Sequence, residues 1–171
     1  MSFTDWRNRE SELSKEDENE RNSCYDSSYG NTKTIAEAIS GALRESGIEV
    51  DSFKVKDVKK PIAKNHDFLV LGSPTRFGTM SFAVKGFLGK VKSDEWMNKP
   101  FAAFDTELPQ NMEKKEWSAA EKLAEKLRDM KLKQALPVLK AAVLGAKGPL
   151  QEGEVERAKE YARGLAIELK R

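Results

Sequence analysis

Stretches of helical and of extended hydrophobic spacing alternate along the chain from residue 23 onward. Apolar residues recur every three or four positions in segments that predict amphipathic helices at 32–45, 82–91, 114–130 and 154–169. Short apolar runs between them predict strands at 48–55, 68–71, 100–104 and 141–144. Strands separated by helices indicate a three-layer α/β domain on a parallel sheet, joined by right-handed crossovers.

The first 22 residues break this pattern. Beyond Met1 their large apolar side chains are Phe3, Trp6 and Leu13, and the segment holds 4 basic and 7 acidic residues. We predict a charged N-terminal segment over 1–22, disordered or forming a marginal helix around 11–20. The folded domain is predicted over 23–171, and it carries the positive balance of the chain.

Composition removes several functional classes. No run of about 18 apolar residues exists, and the charged N-terminus lacks the apolar core of a secretory signal, so we expect a cytoplasmic protein without a membrane span. One cysteine, Cys24, excludes an internal disulfide, and with one histidine, His66, it cannot supply a thiolate and imidazole metal site. We interpret His66 as a loop residue rather than a catalytic one. The 30 basic and 28 acidic residues are interleaved, which gives no reason to expect a nucleic-acid partner.

Ligands of open parallel sheets bind at the carboxyl ends of the strands, so the loops that follow strands matter most. The loop at 27–32 opens a helix and combines hydroxyl side chains with a glycine and the free amides of a helix N-terminus, which suits an anion such as phosphate. Lys33 is the nearest cation in sequence, so we expect dipoles to meet the ligand's charge. A plain Ser/Thr-rich helix cap would have the same residues, and the loop alone does not decide between the two.

Two further loops follow predicted strands. The loop at 72–81 has two glycines, a proline, hydroxyls and an aromatic residue, and it suits the edge of a flat polar ligand. The third, at 105–107, follows the strand that ends at Phe104. All three loops are expected to meet at one end of the sheet.

Together, three runs resemble the flavodoxin family: YDSSYGNTKTIAEAI (25–39), FLVLGSPTRFGTMSFAVKGFL (68–88) and KPFAAFDTE (99–107). The second run also resembles a loop of flavodoxin-like quinone reductases. The resemblance covers about residues 25–169. It implies a three-layer fold with a parallel sheet of strand order 2-1-3-4-5, an FMN cofactor, and electron transfer with redox partner proteins.

The resemblance also implies roles for single residues. The FMN phosphate is assigned to Ser27, Tyr29, Gly30, Asn31 and Thr32. The loop beside the isoalloxazine ring is assigned to Pro74, Thr75, Arg76, Phe77 and Gly78, with backbone groups at 77–78 facing the flavin N5 edge. Thr106 and Glu107 match the loop that closes over the pyrimidine side. The flavin would perform the electron transfer itself, so no catalytic side chain or metal is implied.

The chain departs from the family pattern in its third loop and in its charge. Asp105 and Glu107 are acidic where small residues are usual; close to the ring they would repel the anionic reduced flavin and lower its potential. We expect both to face water instead. The near-neutral net charge of +2 also gives no basis for docking through an acidic surface.

The segment before the first loop is the most serious departure. Residues 17–24 are polar and charged, where the family has a central apolar strand. About five buried side chains at about 1.5–3 kcal/mol each would be missing, roughly 10 kcal/mol in total. We therefore predict a defective first strand, either because residues 1–22 are not the natural partner of the domain, which we favour, or because the domain is damaged.

Three functional hypotheses follow. The first is an FMN-binding electron carrier of the cytoplasm. The second is an FMN-dependent NAD(P)H:quinone reductase, which the lack of a large insertion after Phe104 weakens. The third is a flavin-free interaction protein that keeps the fold, motivated by the missing strand. Whether the chain is an enzyme is left open, as are its partner and its oligomeric state.

Overall fold

A computed structural model of the chain describes residues 22–58 and 66–171. Its strands are β1 (Asn22–Tyr25), β2 (Asp51–Lys54), β3 (Leu69–Pro74), β4 (Pro100–Glu107), β5 (Lys133–Gln134) and β6 (Leu139–Ala142). Its helices are α1 (Asn31–Glu45), α2 (Phe82–Leu88), α3 (Ser93–Trp96), α4 (Ala119–Asp129) and α5 (Glu154–Leu169). The order along the sheet is β2-β1-β3-β4, and every pairing between these strands is parallel.

The fifth position of the sheet is shared by two short strands. β5 pairs with the start of β4 at Pro100 and Phe101, and β6 pairs with its end from Phe104 to Glu107. The predicted order 2-1-3-4-5 therefore matches in part: positions 2-1-3-4 are as predicted, and the last position is divided between two strands. The sequence pattern predicts the last strand at 141–144, two residues further along the chain than β6, and does not predict β5.

Helices cover both faces of the sheet. On one face α1 and α5 enclose Ile35, Ile39 and Leu165 against Val70 and Phe104. On the other, α2, α3 and α4 enclose another apolar cluster, which includes Val84, Trp96, Leu123, Leu71 and Phe101. Neighbouring residues of β3 and β4 contribute to opposite clusters, as the alternation of a strand requires. The predicted three-layer architecture is confirmed.

Helix boundaries differ from prediction where capping decides them. α4 begins at Ala119 rather than at residue 114, because the Ser118 hydroxyl accepts a hydrogen bond from the Glu121 amide and caps the helix there. A single 3₁₀ turn at Lys115–Trp117 precedes it. α5 has the predicted bounds, and α1 begins one residue early.

The sequence pattern predicts a defective first strand. From Asn22 onward this prediction is wrong. Residues Asn22–Tyr25 form β1 at the centre of the sheet, with Asn22 opposite Asp51 in β2 and Cys24 opposite Leu71 in β3. A four-residue strand between two parallel neighbours is stabilised by backbone hydrogen bonds on both sides, and Tyr25, 4% exposed, packs into the core. The expectations for the segment before it, including the helix at 11–20, lie outside the described residues.

The other end of the sheet holds the one histidine of the sequence. His66 lies in the loop before β3, buried and stacked on Trp96 with ring centroids 6.0 Å apart. The interpretation of His66 as a loop residue is confirmed. Across residues 22–58 and 66–171, no helix has both the length and the apolar character needed to cross a membrane.

Candidate functional site

A cleft of about 410 Å³ opens where the chain leaves the carboxyl ends of β1, β3 and β4. The predicted site residues that line it are Ser27, Tyr29, Asn31, Thr32, Pro74, Thr75, Arg76, Phe77, Gly78, Thr106 and Glu107. Gly30 lies in the same loop but does not line the cleft. The three predicted loops therefore meet at one place, as expected for loops at the carboxyl ends of parallel strands.

The first loop presents an open helix N-terminus. Gly30 adopts a left-handed conformation with φ 90° before α1, and no side chain of the described residues caps the helix. Its own amide donates to the Ser27 hydroxyl at 3.0 Å. Among the described residues, the amides of Asn31, Thr32 and Lys33 have no protein acceptor. These donors, together with the helix dipole, suit an anion.

The second loop is a tight turn with fixed geometry. The Arg76 amide donates to the Thr79 carbonyl at 2.9 Å and the Thr79 amide donates back at 3.0 Å. Both central residues have positive φ, 49° at Phe77 and 73° at Gly78, as in a type I′ turn. A positive φ is rare for a bulky residue, and the Phe77 side chain is 98% exposed. The turn therefore holds an aromatic ring in solvent at the edge of the cleft.

Gly78 is constrained by packing as well as by φ. A Cβ at this position would lie 2.8 Å from Cε3 of Trp117. Trp117 lines the cleft and keeps 45% of its side chain exposed. The sequence pattern did not identify Trp117. The predicted helix begins at residue 114, which makes Trp117 an ordinary residue of that helix and not part of a loop at the cleft.

Asp105 holds the second loop and the start of α4. It is fully buried, and its Oδ2 accepts hydrogen bonds from the Ser118 hydroxyl at 2.7 Å, the Thr75 hydroxyl at 3.0 Å and the Ala120 amide at 3.0 Å. Burial raises the pKa of this carboxyl, while these hydrogen bonds and the charge of Lys140 act in the opposite direction. The expectation that Asp105 faces water is wrong.

Glu107 is also buried, with 2% of the residue exposed. Within the described chain neither carboxyl oxygen has a hydrogen-bond donor, and Lys140 Nζ lies 3.8 Å from Oε1. Lys140 Nζ donates instead to the Met112 carbonyl at 2.9 Å. Burial and then the neighbouring charge of Asp105 raise the pKa of Glu107 to about 8, against the opposing charge of Lys140.

Glu107 is therefore mainly protonated at neutral pH. The expectation that it faces water is wrong. The pleat of the sheet explains both corrections: β4 continues through Glu107, so Asp105 and Glu107 point to the same covered face as Ala103.

The cleft has further lining residues that sequence did not single out: Ser28, Leu108, Asn111, Trp117, Val143 and Ala146. Ser28 lies inside the predicted first loop. Val143 and Ala146 follow β6, and the strand-end rule applied to this last strand would have found them. Their loop packs on the first one, since a Cβ at Gly148 would lie 2.7 Å from the Asn31 side chain.

Contacts between the loops make the cleft one unit. The hydroxyls of Thr32 and Thr106 lie 2.9 Å apart, and the Thr75 amide donates to the Thr106 carbonyl at 2.9 Å. Arg76 Nη2 donates to the Ser28 hydroxyl at 2.5 Å. The first loop is thus hydrogen-bonded directly to both of the others.

Comparison with known proteins gives consistent matches. A family model described as "Flavodoxin domain" matches residues 24–146. A flavodoxin of Aquifex aeolicus (strain VF5) is 38% identical over 73 residues, 42% of this chain and 40% of that protein. An NAD(P)H dehydrogenase (quinone) of Paracoccus denitrificans (strain Pd 1222) is 32% identical over 87 residues, 39% of this chain and 42% of that protein.

Each of these two alignments spans about two fifths of the relative's length. A solved structure of a flavodoxin from the domain Archaea superposes with a TM-score of 0.74 at 25% identity. That superposition covers 88% of this chain and 99% of the archaeal one.

Proposed function

Because this chain belongs to the flavodoxin family, we propose that it binds FMN in the cleft and carries electrons between redox partner proteins. The observation that carries the proposal is the meeting of an uncapped helix N-terminus with two further loops around one cleft. FMN supplies reversible electron transfer when bound, while the protein sets its position, its access to solvent and its potential.

The residues of the cleft fit the parts of FMN. At one end, the amides of Asn31, Thr32 and Lys33, which have no acceptor among the described residues, and the hydroxyl of Thr32 are donors for a phosphate group. Residues assigned to the phosphate are Ser27, Tyr29, Gly30, Asn31 and Thr32.

The rest of the cleft suits a flat ring system. Pro74, Thr75, Phe77, Gly78 and Trp117 offer aromatic and backbone surface beside the ring. Thr106 and Glu107 are assigned to its pyrimidine side. The proposal needs no catalytic side chain.

β1 supports the phosphate loop in this proposal. The loop leaves β1, and β1 is paired on both sides within the sheet. The Asp26 amide extends this pairing by donating to the Gly72 carbonyl at 3.2 Å. The flavin-free hypothesis was motivated by the lack of such a strand, so it now stands only as one outcome of a binding experiment.

Titration of the purified chain with FMN tests the proposal. We expect quenching of flavin fluorescence at one equivalent and a protein-bound visible spectrum. Thr32→Val removes a phosphate donor and the bond to Thr106, and should weaken binding about tenfold. Ser46→Ala, which removes a hydroxyl at the other end of α1, is the matched control. Absence of any FMN binding would refute both redox hypotheses and leave the flavin-free one.

The quinone reductase hypothesis remains a second candidate because of the Paracoccus relative. Sustained oxidation of NAD(P)H with a quinone by the FMN-loaded chain would support it. If FMN binds but no such turnover occurs, the electron carrier remains. We propose that the protein acts in the cytoplasm, since its single cysteine forms no internal disulfide, and cell fractionation tests this.

A further inference from the structure

We infer that Arg76 and Ser28 form a phosphate-recognition pair, through which the cleft selects FMN over its unphosphorylated counterpart riboflavin. The inference rests on the proposed binding of FMN and adds to it a determinant of specificity. It also assigns the side chain of Arg76 to the phosphate end of the cleft, although its backbone belongs to the loop beside the ring.

The geometry of the turn directs Arg76 across the cleft. The two backbone hydrogen bonds between Arg76 and Thr79 fix the peptide from which the side chain leaves. From there the guanidinium reaches the first loop, where Nη2 donates to the Ser28 hydroxyl at 2.5 Å. Both residues line the cleft. The contact thus places a permanent positive charge beside the open N-terminus of α1.

Other cations near this helix end are less suited to the task. Lys33 lies in the first turn of α1, but its Nζ is 3.7 Å from a Glu37 carboxylate oxygen one turn further along the helix. Lys147 makes a cation–π contact instead, with its Nζ 5.9 Å from the centroid of the Tyr29 ring. Arg76 instead donates a hydrogen bond to Ser28 in the first loop, and the first turn of α1 has no acidic side chain to neutralise its charge.

The guanidinium also has donors to spare. It carries five N–H groups, and its recorded hydrogen bond within the described residues uses one of them, toward Ser28. A phosphate monoester has close to two negative charges at neutral pH, whereas a helix N-terminus offers about half a positive charge. Arginine matches phosphate oxygens with parallel donors, so it supplies charge and geometry that the amides lack. Riboflavin has no group that would use this charge.

Dissociation constants for FMN and for riboflavin, measured side by side, test the inference. Arg76→Gln should weaken FMN binding about tenfold or more and change riboflavin binding less than about twofold. Arg76→Lys keeps the charge without the paired donors and should fall between. Ser28→Ala removes the group that positions the guanidinium and should weaken FMN binding by a smaller factor, again without affecting riboflavin.

Arg163→Gln is the matched control, because it removes one guanidinium from an exposed position on α5, outside the cleft. Both of its dissociation constants should stay within about twofold of the unmodified chain. Rising KCl concentration should weaken FMN binding more steeply in the unmodified chain than in Arg76→Gln.

The outcomes separate the inference from the proposed function. If the unmodified chain binds neither flavin, the proposed function is wrong and the inference falls with it. If it binds FMN and Arg76→Gln weakens both flavins equally, Arg76 acts on the loop and not on the phosphate, and only the inference is overturned. Unchanged binding in Arg76→Gln and Arg76→Lys, both folded by circular dichroism, overturns it as well.

Discussion

Ionisation of the buried Glu107 is expected to lower the stability of the folded protein as the pH rises, and the replacement Glu107→Gln should remove this loss. The pKa of Glu107 is raised from 4.5 to about 8 by burial first and by Asp105 second. The folded protein therefore prefers the protonated acid. Its contribution to the free energy of unfolding is fully present below about pH 4.5 and is lost as the pH rises through about 8.

The size of this effect follows from the shift. One pKa unit corresponds to about 1.4 kcal/mol, so the full shift corresponds to at most about 5 kcal/mol. A typical domain has about 5–15 kcal/mol of stability, so even half of that value is a large part of the total. Glutamine has the shape of the protonated acid and does not titrate. Between about pH 5 and pH 9 its stability advantage over the unmodified chain should grow by about 2–4 kcal/mol.

Urea unfolding followed by tryptophan fluorescence at a series of pH values measures this difference. Glu113→Gln, which removes an exposed acid from the segment between β4 and α4, is the matched control for the loss of one carboxyl group. Parallel profiles for Glu107→Gln and the unmodified chain would show that Glu107 is ionised in the folded protein. The raised pKa attributed to burial of Glu107 would then be wrong.

Three further predictions concern packing and capping. Gly78→Ala should lower the free energy of unfolding by about 1–3 kcal/mol, because φ is 73° and the new Cβ would meet Trp117; thermal unfolding measures it. Gly41 lies in the middle of α1, where an added Cβ would have no heavy atom within 4 Å. Gly41→Ala should therefore raise the free energy of unfolding by up to about 1 kcal/mol, and a lower melting temperature would contradict this. Ser118→Ala removes the cap of α4 and a hydrogen bond to Asp105, so chemical denaturation should show a loss of about 1–3 kcal/mol.

The parts of the fold that sequence predicted well are those decided by local pattern. α5 was found at its full length because its apolar residues repeat at helical spacing over 16 residues. β3 and β4 were recognised because strands covered on both faces have continuous apolar runs. The ends of these two strands were missed, since they hold polar residues, such as Asp105 and Thr106, whose hydrogen-bond partners lie in distant parts of the chain.

β1 shows what local pattern does not contain. Its residues have no strand signal of their own, and its place is fixed by the backbone partners that β2 and β3 present on either side. The burial of Asp105 depends likewise on Thr75 and Ser118, donors that lie 30 and 13 residues away in sequence. Such contacts follow from topology, so the location of the site was predictable while its electrostatics were not.

The two ends of the cleft differ in charge in a way that matches the proposed ligand. At the first loop, the Arg76 guanidinium and the amides of α1 produce a positive end for a dianion. At the third loop, Glu107 is held as a neutral acid through its burial and the charge of Asp105. A charged carboxylate there would repel a reduced, anionic ring, whereas a protonated one does not. Burial along β4 thus favours the uncharged form of Glu107, which reduces the repulsion that would lower the flavin potential at this residue.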